Sequence, residues 1–519
     1  MRPLKDPFVV ARPTGYTTRT RIRPTQEEEA ALRDIGDYLG SLYRGAVRSR
    51  IELGKVTARE QGQWNTDLKR ELTALTSSRW AGAMVRSAIS QHRLSVDGLY
   101  REVIDKNQAI RALESRVAVP VGERVDGVRG YKTVNERFQK TRRLAILKDR
   151  VAELSRMIAT GSPSVTLGGK RLWKSRNNLD QAGMTESQWR DQWDDRRMFL
   201  TALGETGATG GNQTIKVLPD GSVSIKVPKG LSDRYGDFLR LEAPVSFDTH
   251  RGAQWEGRVH NRQAVGYRIW HDTDKNRWYM DVSWSAPKTV TPPSVDELSF
   301  HNTLGVDLNS GFLTAWVIDP SGNPVGQPHT VEMKTQRLPV STRDARVREA
   351  ITELLDIARE NTCASITIED LNFSDARASG RETMGRGKRG KQFRRTVASI
   401  PTSKFSSRLV AMAETANIWI VAVDPAYTSK WGGEHWLEPM RQQNRKTPNG
   451  EVCSRHHAAA IAIGRRSKGL RIRRKPVGLP LRQRTDRDLP IELASSEILE
   501  THLSSPYEKP LRARPSLVT

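Results

Sequence analysis

The spacing of hydrophobic residues changes twice along this chain, and each change predicts a different architecture. From residue 25 to about residue 205, apolar side chains recur every three or four positions, as they do on amphipathic helices. Over residues 206–290 they alternate with polar residues, which is typical of strands with one buried face. From about residue 300, short apolar runs alternate with helical stretches. The pattern predicts a helical region, then a small β module, then an α/β domain.

The borders of these regions carry recognisable local signals. Thr25 stands three residues before Glu28, which is the spacing of a capping box at the start of a helix. The segment TIKVLPDGSVSIKV places two alternating strands about an Asp-Gly turn, and AVGYRIWHDTDKNRWYMDVSWSAP is typical of a second hairpin. We expect a strand near residues 17–23 to complete this β module.

The charge of the chain indicates the kind of partner it binds. The 84 lysine and arginine residues outnumber the 59 acidic residues and give a net charge of +25. Such an excess favours a polyanionic partner, most often nucleic acid, because neutralising phosphates releases bound counterions. A merely soluble basic protein is the alternative.

Only two cysteines occur in the sequence, Cys363 and Cys453. They can form neither a disulfide framework nor a four-cysteine zinc ribbon. The sequence has no signal-peptide core and no apolar run of membrane-spanning length. We therefore expect a soluble protein of the bacterial cytoplasm, associated with the nucleoid, with no membrane partner.

Three polar residues stand at the ends of apolar elements in the α/β region. Asp307 ends the predicted strand TLGVD, Glu369 ends the predicted strand SITIE, and His456 opens the predicted helix HHAAAIAIGRR. Each has an ordinary interpretation, since Asp307 could start a turn and Glu369 could cap a strand end. Together, in this order, they match the layout of an RNase H-like sheet. Such a site brings acidic groups together to bind two divalent cations that hydrolyse a phosphodiester bond.

The motifs of this region resemble a known family. LGVDLNSG, ITIEDLNF and RHHAAAIAIG resemble the three RuvC motifs of TnpB nucleases and of the type V CRISPR effectors derived from them, and VAVDPAYTS resembles the strand that leads to their zinc ribbon. The resemblance is specific over residues 300–475 and implies that they form a RuvC-like nuclease domain. Earlier in the chain it is architectural and implies a β-barrel-like wedge domain, residues 1–24 and 206–290, interrupted by an α-helical recognition lobe, residues 25–205.

This resemblance implies a function. Asp307 and Glu369 would be the first two catalytic carboxylates and would bind Mg²⁺ or Mn²⁺. The protein would be an RNA-guided DNA endonuclease of antiviral defence, with a guide RNA and a target DNA that carries a short flanking motif. Two alternatives stay open: a guided DNA binder that silences its target without cutting, and a transposon-associated nuclease that works without RNA.

The chain departs from the family in the zinc-ribbon region, residues 427–453. Trp431 and Trp436 stand where the family has zinc ligands, and Cys453 is the one cysteine left there. A zinc site built from His435, Cys453 and another histidine lacks an evident fourth ligand, so zinc is not expected. We expect a zinc-free loop packed by the tryptophans.

A second departure falls on the third catalytic position, where the family has an aspartate and this chain has His456. A histidine can ligate a metal or take a proton from the attacking water. Losing a carboxylate also weakens Mg²⁺ binding, because hard cations prefer oxygen, and this leads to the non-cutting alternative. His457 is expected to be structural, although a shift of one residue would exchange the two roles.

Three further segments are basic or irregular. Residues 376–395 contain many basic residues and resemble the lid over the family's active site. Arg465 and Arg466 are expected to begin a run that faces phosphates. Residues 476–519 have no sustained hydrophobic period, and a disordered tail is expected there.

Overall fold

The computed structural model describes residues 4–248, 251–287, 291–336, 338–370, 402–444 and 452–470. The chain divides into two compact units. The α/β unit contains the described residues up to Pro13 and those from residue 291 onward, and the helix–sheet unit contains residues 14–287. The basic segment 376–395 and the tail 476–519 lie outside the described residues.

The α/β unit is built on a six-stranded sheet whose elements are numbered here in chain order. Its strands are β1 (Phe8–Val9), β2 (Thr303–Leu308), β3 (Phe312–Ile318), β4 (Pro324–Glu332), β5 (Ser365–Glu369) and β6 (Trp419–Val423). Its helices are α1 (Val295–Ser299), α2 (Val340–Glu360), α3 (Thr402–Thr415), α4 (Thr428–His435), α5 (Leu437–Asn444) and α6 (Arg455–Ser467).

The strand order of this sheet is β1-β6-β5-β2-β3-β4. The hairpins β2/β3 and β3/β4 are antiparallel, whereas β5 pairs parallel to β2 and β6 pairs parallel to β5. Three antiparallel strands followed by two parallel ones on the side of the first strand form an RNase H-like sheet. The predicted fold of the α/β unit is confirmed by this topology.

Helices cover both faces of the sheet. Leu304 and Val306 of β2 point into a core that also contains Leu354 of α2 and Leu409 of α3. The opposite face packs against α6. There Gly305 lies so close to the helix that a Cβ atom on it would approach the carbonyl oxygen of Ala460 to 2.2 Å. This contact brings the N-terminal end of α6 to the edge of the sheet where β2 and β5 end.

Two expectations for this unit need correction. Residues 1–24 were assigned to the wedge domain, but the described ones up to Pro13 belong to the α/β unit, where β1 pairs antiparallel with β6. The ribbon region was expected to be a loop, but α4 and α5 occupy residues 428–444. Trp436 is buried beside Trp316 and Cys453, so the expected packing by a tryptophan is confirmed.

The helix–sheet unit begins with a strand and then becomes helical. Its long helices start after a threonine or serine that caps them; they are Gln26–Leu53, Ala58–Leu75, Ser78–Ala118 and Val134–Thr160. The predicted capping box is present, because Thr25 Oγ1 accepts from the Glu28 amide at 3.2 Å and Glu28 accepts from the Thr25 amide at 2.7 Å. The shorter helices are Lys170–Ser175, Leu179–Ala182, Glu186–Asp195, Ser232–Tyr235 and Gly252–His260.

The described residues of the same unit form three antiparallel sheets. The largest has four strands in the order Gly15–Ile22, Arg277–Ser285, Gly266–Asp272 and Thr201–Ala202. The predicted participation of the strand near residues 17–23 is therefore confirmed. The three-stranded sheet is formed by Ile215–Val217, Val223–Lys226 and Phe238–Leu241, and a hairpin by Arg124–Val125 and Val128–Arg129. None of the helices in the described part of the chain combines the length and apolar composition that crossing a membrane requires.

Candidate active site

Asp307 and Glu369 occupy equivalent positions on neighbouring strands. The parallel pairing of β2 with β5 runs to Val306 opposite Ile368, so the next residue on each strand is one of the two acids. Their side chains point to the same face of the sheet, because adjacent strands keep the alternation in register. The register thus places the two residues side by side; their role in catalysis remains a prediction.

Asp307 is held by two neighbours at one oxygen. Its side chain is 7% exposed, and its Oδ2 accepts a hydrogen bond from Asn309 Nδ2 at 2.9 Å. The same oxygen lies 3.0 Å from Nδ1 of His456. Asn309 begins the turn that leads to β3, so this turn and the first turn of α6 each orient the carboxylate through one contact. Among the described residues, no donor contacts the other oxygen, Oδ1.

Glu369 lies in an environment that disfavours its charge. Burial raises its pKa to about 7, and the negative charge of Asp307 contributes to this increase. The hydroxyl of Thr428 donates to Oε1, and this bond and the charge of Arg466 act in the opposite direction. The two acids therefore carry more negative charge than the surrounding protein compensates, which is the condition under which a site binds a cation.

His456 lies in the first turn of α6 and reaches Asp307 from there. Its side chain is 44% exposed, and its ring meets the edge of Phe312 at a centroid distance of 5.4 Å. In the neutral tautomer that donates Nδ1–H to Asp307, Nε2 carries a lone pair. That lone pair is the part of the residue that can accept a proton or bind a metal ion.

His457, the next residue, belongs to the packing of the helix entrance. It is 2% exposed, and its Nδ1 accepts from the Ser454 amide at 3.0 Å. Its Nε2 lies 3.0 Å from the Thr330 hydroxyl and 3.2 Å from the His329 carbonyl oxygen. The imidazole thus fixes the start of α6 against β4, in agreement with the structural role expected for it.

One acid near Glu369 was not predicted from the sequence. Asp424 follows β6, is 1% exposed, and accepts from the backbone amides of Ala426 at 2.9 Å and Lys5 at 3.0 Å. Its charge also raises the pKa of Glu369. The signal was available in VAVDPAYTS, because an acid that ends a parallel strand lies at the same sheet edge as Asp307 and Glu369.

The prediction for Arg465 and Arg466 was wrong. Both are buried, at 7% and 6% exposure. Arg465 donates to the carbonyl oxygen of Gly322, and Arg466 donates to those of Asp424 and Ala426. Arg465 thus binds the turn between β3 and β4, and Arg466 binds the turn that follows β6, so neither faces solvent phosphates.

The donor set determines which cation the site suits. Among the described residues there is no group of three or more His, Cys, Asp and Glu side chains arranged to hold a metal ion. The pair of acids still fits Mg²⁺, which typically binds one or two carboxylates and completes its shell with water and substrate phosphates. Asp307 Oδ1 and the Glu369 oxygen that Thr428 does not contact are the two donors available for it.

Comparisons with known proteins give little beyond this geometry. No protein-family model matches the sequence, and the comparison with curated proteins also gives no match. Among solved structures, the chain is similar to Thermus thermophilus RuvC in complex with a Holliday junction substrate, with 14% identity and a TM-score of 0.21 over 32% of this chain and 91% of that one. It is also similar to a second Thermus thermophilus RuvC structure, with 13% identity and a TM-score of 0.20 over 32% of this chain and 94% of that one. The RNase H-like fold is identified by the strand order of the chain itself.

Proposed function

We propose that this protein is an RNA-guided DNA endonuclease that hydrolyses phosphodiester bonds at its RNase H-like sheet with Mg²⁺ or Mn²⁺. The observation that carries the proposal is the position of Asp307 and Glu369 directly after the last paired residues of adjacent parallel strands. The raised pKa of Glu369, about 7, supports it, because two acids that repel each other are stabilised by a bound cation.

The site residues have separate roles in this proposal. Asp307 and Glu369 would hold the cation, which when bound supplies an activated water and stabilises the leaving oxygen. Asn309 and Thr428 orient the two carboxylates through one oxygen each. Asp307 in turn orients His456 so that Nε2 faces away from the carboxylate and can take the proton of the attacking water.

The charge of the chain supports nucleic acid as substrate and partner. A net charge of +25 favours binding to phosphate backbones, and the motifs around Asp307, Glu369 and His456 resemble those of guided nuclease families. The proposal therefore includes a guide RNA, a target DNA with a short flanking motif and a setting in either a CRISPR or a transposon system.

A second candidate function has an observation in its favour. The third catalytic position holds His456, and its Nδ1 is engaged by Asp307. A site with two carboxylates and an imidazole binds Mg²⁺ more weakly than one with three carboxylates. A protein of this kind would bind its guided target and block it without cutting.

Purification with the native flanking DNA co-expressed tests both candidates. Sequencing of the copurified RNA should reveal a discrete guide, and a plasmid carrying the complementary sequence should be cut in Mg²⁺ or Mn²⁺ and stay intact in EDTA. Target binding with an intact plasmid in both metals selects the non-cutting binder. Copurified RNA of random sequence rules out guidance.

A further inference from the structure

The four-stranded sheet of the helix–sheet unit has one face in the core and one face in solvent. Along Arg277–Ser285 buried residues alternate with more exposed ones, and the buried ones, such as Met280 and Val282, join the core of the unit. The neighbouring strands Gly15–Ile22 and Gly266–Asp272 alternate in the same way. The residues on the outer face are therefore set by register and do not depend on packing within the core.

Two aromatic rings lie side by side on this outer face. Tyr279 pairs directly with Trp270 across the strands, and their rings stack with centroids 5.2 Å apart and an interplanar angle of 26°. Both side chains are partly exposed. A large aromatic surface on an outer sheet face has no core to fill, so an ordinary packing role does not explain the pair.

Arg19 adds a third planar group to this pair. Its guanidinium carbon lies 4.7 Å from the centroid of the Trp270 ring and 5.8 Å from that of Tyr279. Asp281 fixes the plane, because it accepts from Arg19 Nε and from Nη2 at 3.2 Å. The same carboxylate accepts from Trp270 Nε1 at 3.1 Å. One acid thus holds both the guanidinium and the indole in place while the Arg19 side chain stays 55% exposed.

Further cations surround these rings. Arg21 pairs with Tyr279, and Arg268 pairs with Asp281, so both lie on the same outer face. Both of these arginines are exposed. Lys275 lies 6.0 Å from the centroid of the Tyr279 ring. Planar groups bordered by exposed cations are complementary to a strand whose flat bases alternate with phosphates.

We infer that this face, defined by Arg19, Arg21, Arg268, Trp270 and Tyr279, binds an unpaired segment of RNA by stacking bases on its planar groups. The arginines at its border contact the flanking phosphates. Duplexes do not fit this description, because their bases are stacked on one another and are not available. The choice of RNA over DNA rests on the proposed function, which requires an RNA partner; the stacking surface itself does not depend on cleavage.

A binding experiment with the full-length protein tests the inference. The protein is freed of copurified nucleic acid and titrated, in EDTA, into a fluorescently labelled single-stranded 12-mer of uridine while anisotropy is recorded. Trp270→Ala should weaken binding about 5- to 100-fold, the range expected when one or two stacked bases are lost. Trp270→Phe should restore most of the affinity because it keeps an aromatic face. Tyr100→Ala, which removes a 52% exposed aromatic residue from a helix of the same unit, should leave affinity unchanged.

The design separates stacking from charge and from folding. An RNA with abasic sugars at its centre should bind wild type and Trp270→Ala equally, because it has no base to stack. Arg19→Lys keeps the charge and loses the plane, so it should weaken binding of the uridine strand even if Trp270→Ala does not fold. Unchanged binding by both variants, an equal loss on abasic RNA, or a preference for single-stranded DNA would overturn the inference. If the protein binds the strand through Trp270 but never cuts DNA, the proposed nuclease activity is wrong and the inferred RNA-binding face is still supported.

Discussion

His456 Nδ1 lies 3.0 Å from Oδ2 of Asp307, although 149 residues separate the two in the chain. Strand β2 supplies the acid and helix α6 supplies the imidazole. Asn309 donates to the same oxygen at 2.9 Å, so the contact leaves Asp307 Oδ1 available for a cation. This arrangement ties the histidine to the acid pair and leads to the predictions below.

Replacing His456 should slow cleavage, whereas replacing His457 should lower the stability of the fold. His456→Ala should leave the free energy of unfolding within about 0.5 kcal/mol of wild type, because the side chain is 44% exposed, and should slow cleavage about 100- to 10,000-fold as a lost proton acceptor. His457→Ala should lower the free energy of unfolding by about 1–3 kcal/mol, because the Ser454 amide loses its buried acceptor. Denaturation and cleavage time courses measure the two effects. Equal loss of stability in both variants would contradict the assignment.

The metal preference should reveal whether His456 acts as a ligand. Imidazole nitrogen suits Mn²⁺ better than Mg²⁺, so a ligand role through Nε2 predicts faster cleavage in Mn²⁺. His456→Asp should then remove the preference, because it supplies an oxygen. Cleavage rates measured at saturating concentrations of each metal make the comparison. Equal wild-type rates in both metals would leave His456 only the role of proton acceptor.

The pKa of Glu369 predicts how stability of the metal-free protein depends on pH. The carboxyl keeps its proton in the folded state up to about pH 7 but loses it near pH 4.5 when unfolded. Stability should therefore fall as pH rises from about 4.5 to 7, by up to about 1.4 kcal/mol for each pH unit, and level off above. Glu369→Gln should remove this component of the pH dependence, whereas Asp356→Asn, which changes an exposed carboxylate of α2, should not. Denaturation at several pH values in EDTA measures it. The same pH dependence in wild type and Glu369→Gln would show that the fold does not raise the pKa of Glu369.

The close approach of β2 to α6 predicts a large effect from one methyl group. Gly305→Ala would place its Cβ 2.2 Å from the Ala460 carbonyl oxygen and should cost about 1–3 kcal/mol or more, because backbone must move. Gly98→Ala, in a helix of the other unit with nothing within 4 Å, should be neutral or stabilising. Thermal denaturation of the two variants makes the comparison. A neutral Gly305→Ala would mean that α6 does not pack on β2 as described.

Much of the α/β sheet could be predicted from the sequence, and the reasons are physical. The strands β2, β5 and β6 are short buried runs with an acid at or next to their C-terminal end, and β-branched residues in runs of this length favour strands over helices. Asp307 and Glu369 could be predicted because parallel strands end at one edge. Strand β1 could not be predicted, because Phe8 and Val9 are too few to show an alternation of apolar and polar residues. Their strand is defined by pairing with β6.

The helices of the ribbon region were missed for a different reason. The expected loop followed from the missing zinc ligands, whereas the structure shows that Gly432 permits α4 to pack on α6, because a Cβ on it would lie 2.4 Å from the Ala458 carbonyl oxygen. Arg466 was misjudged because a basic run usually faces solvent. Its burial depends on carbonyl oxygens contributed by the turn after β6, 40 residues earlier, which composition alone does not predict.

Single-turnover cleavage of a guided target by acid-pair variants tests the central claim most directly. Asp307→Asn and Glu369→Gln keep the shape of each side chain and remove its charge, and Asp356→Asn serves as the matched control on an exposed helix face. Asp307→Asn and Glu369→Gln should each cut at least about 100-fold more slowly than wild type, with target affinity unchanged, because they lose the cation that supplies several kcal/mol of transition-state stabilisation. The control should cut at the wild-type rate. Cleavage by Asp307→Asn as fast as wild type would contradict the assignment of this site.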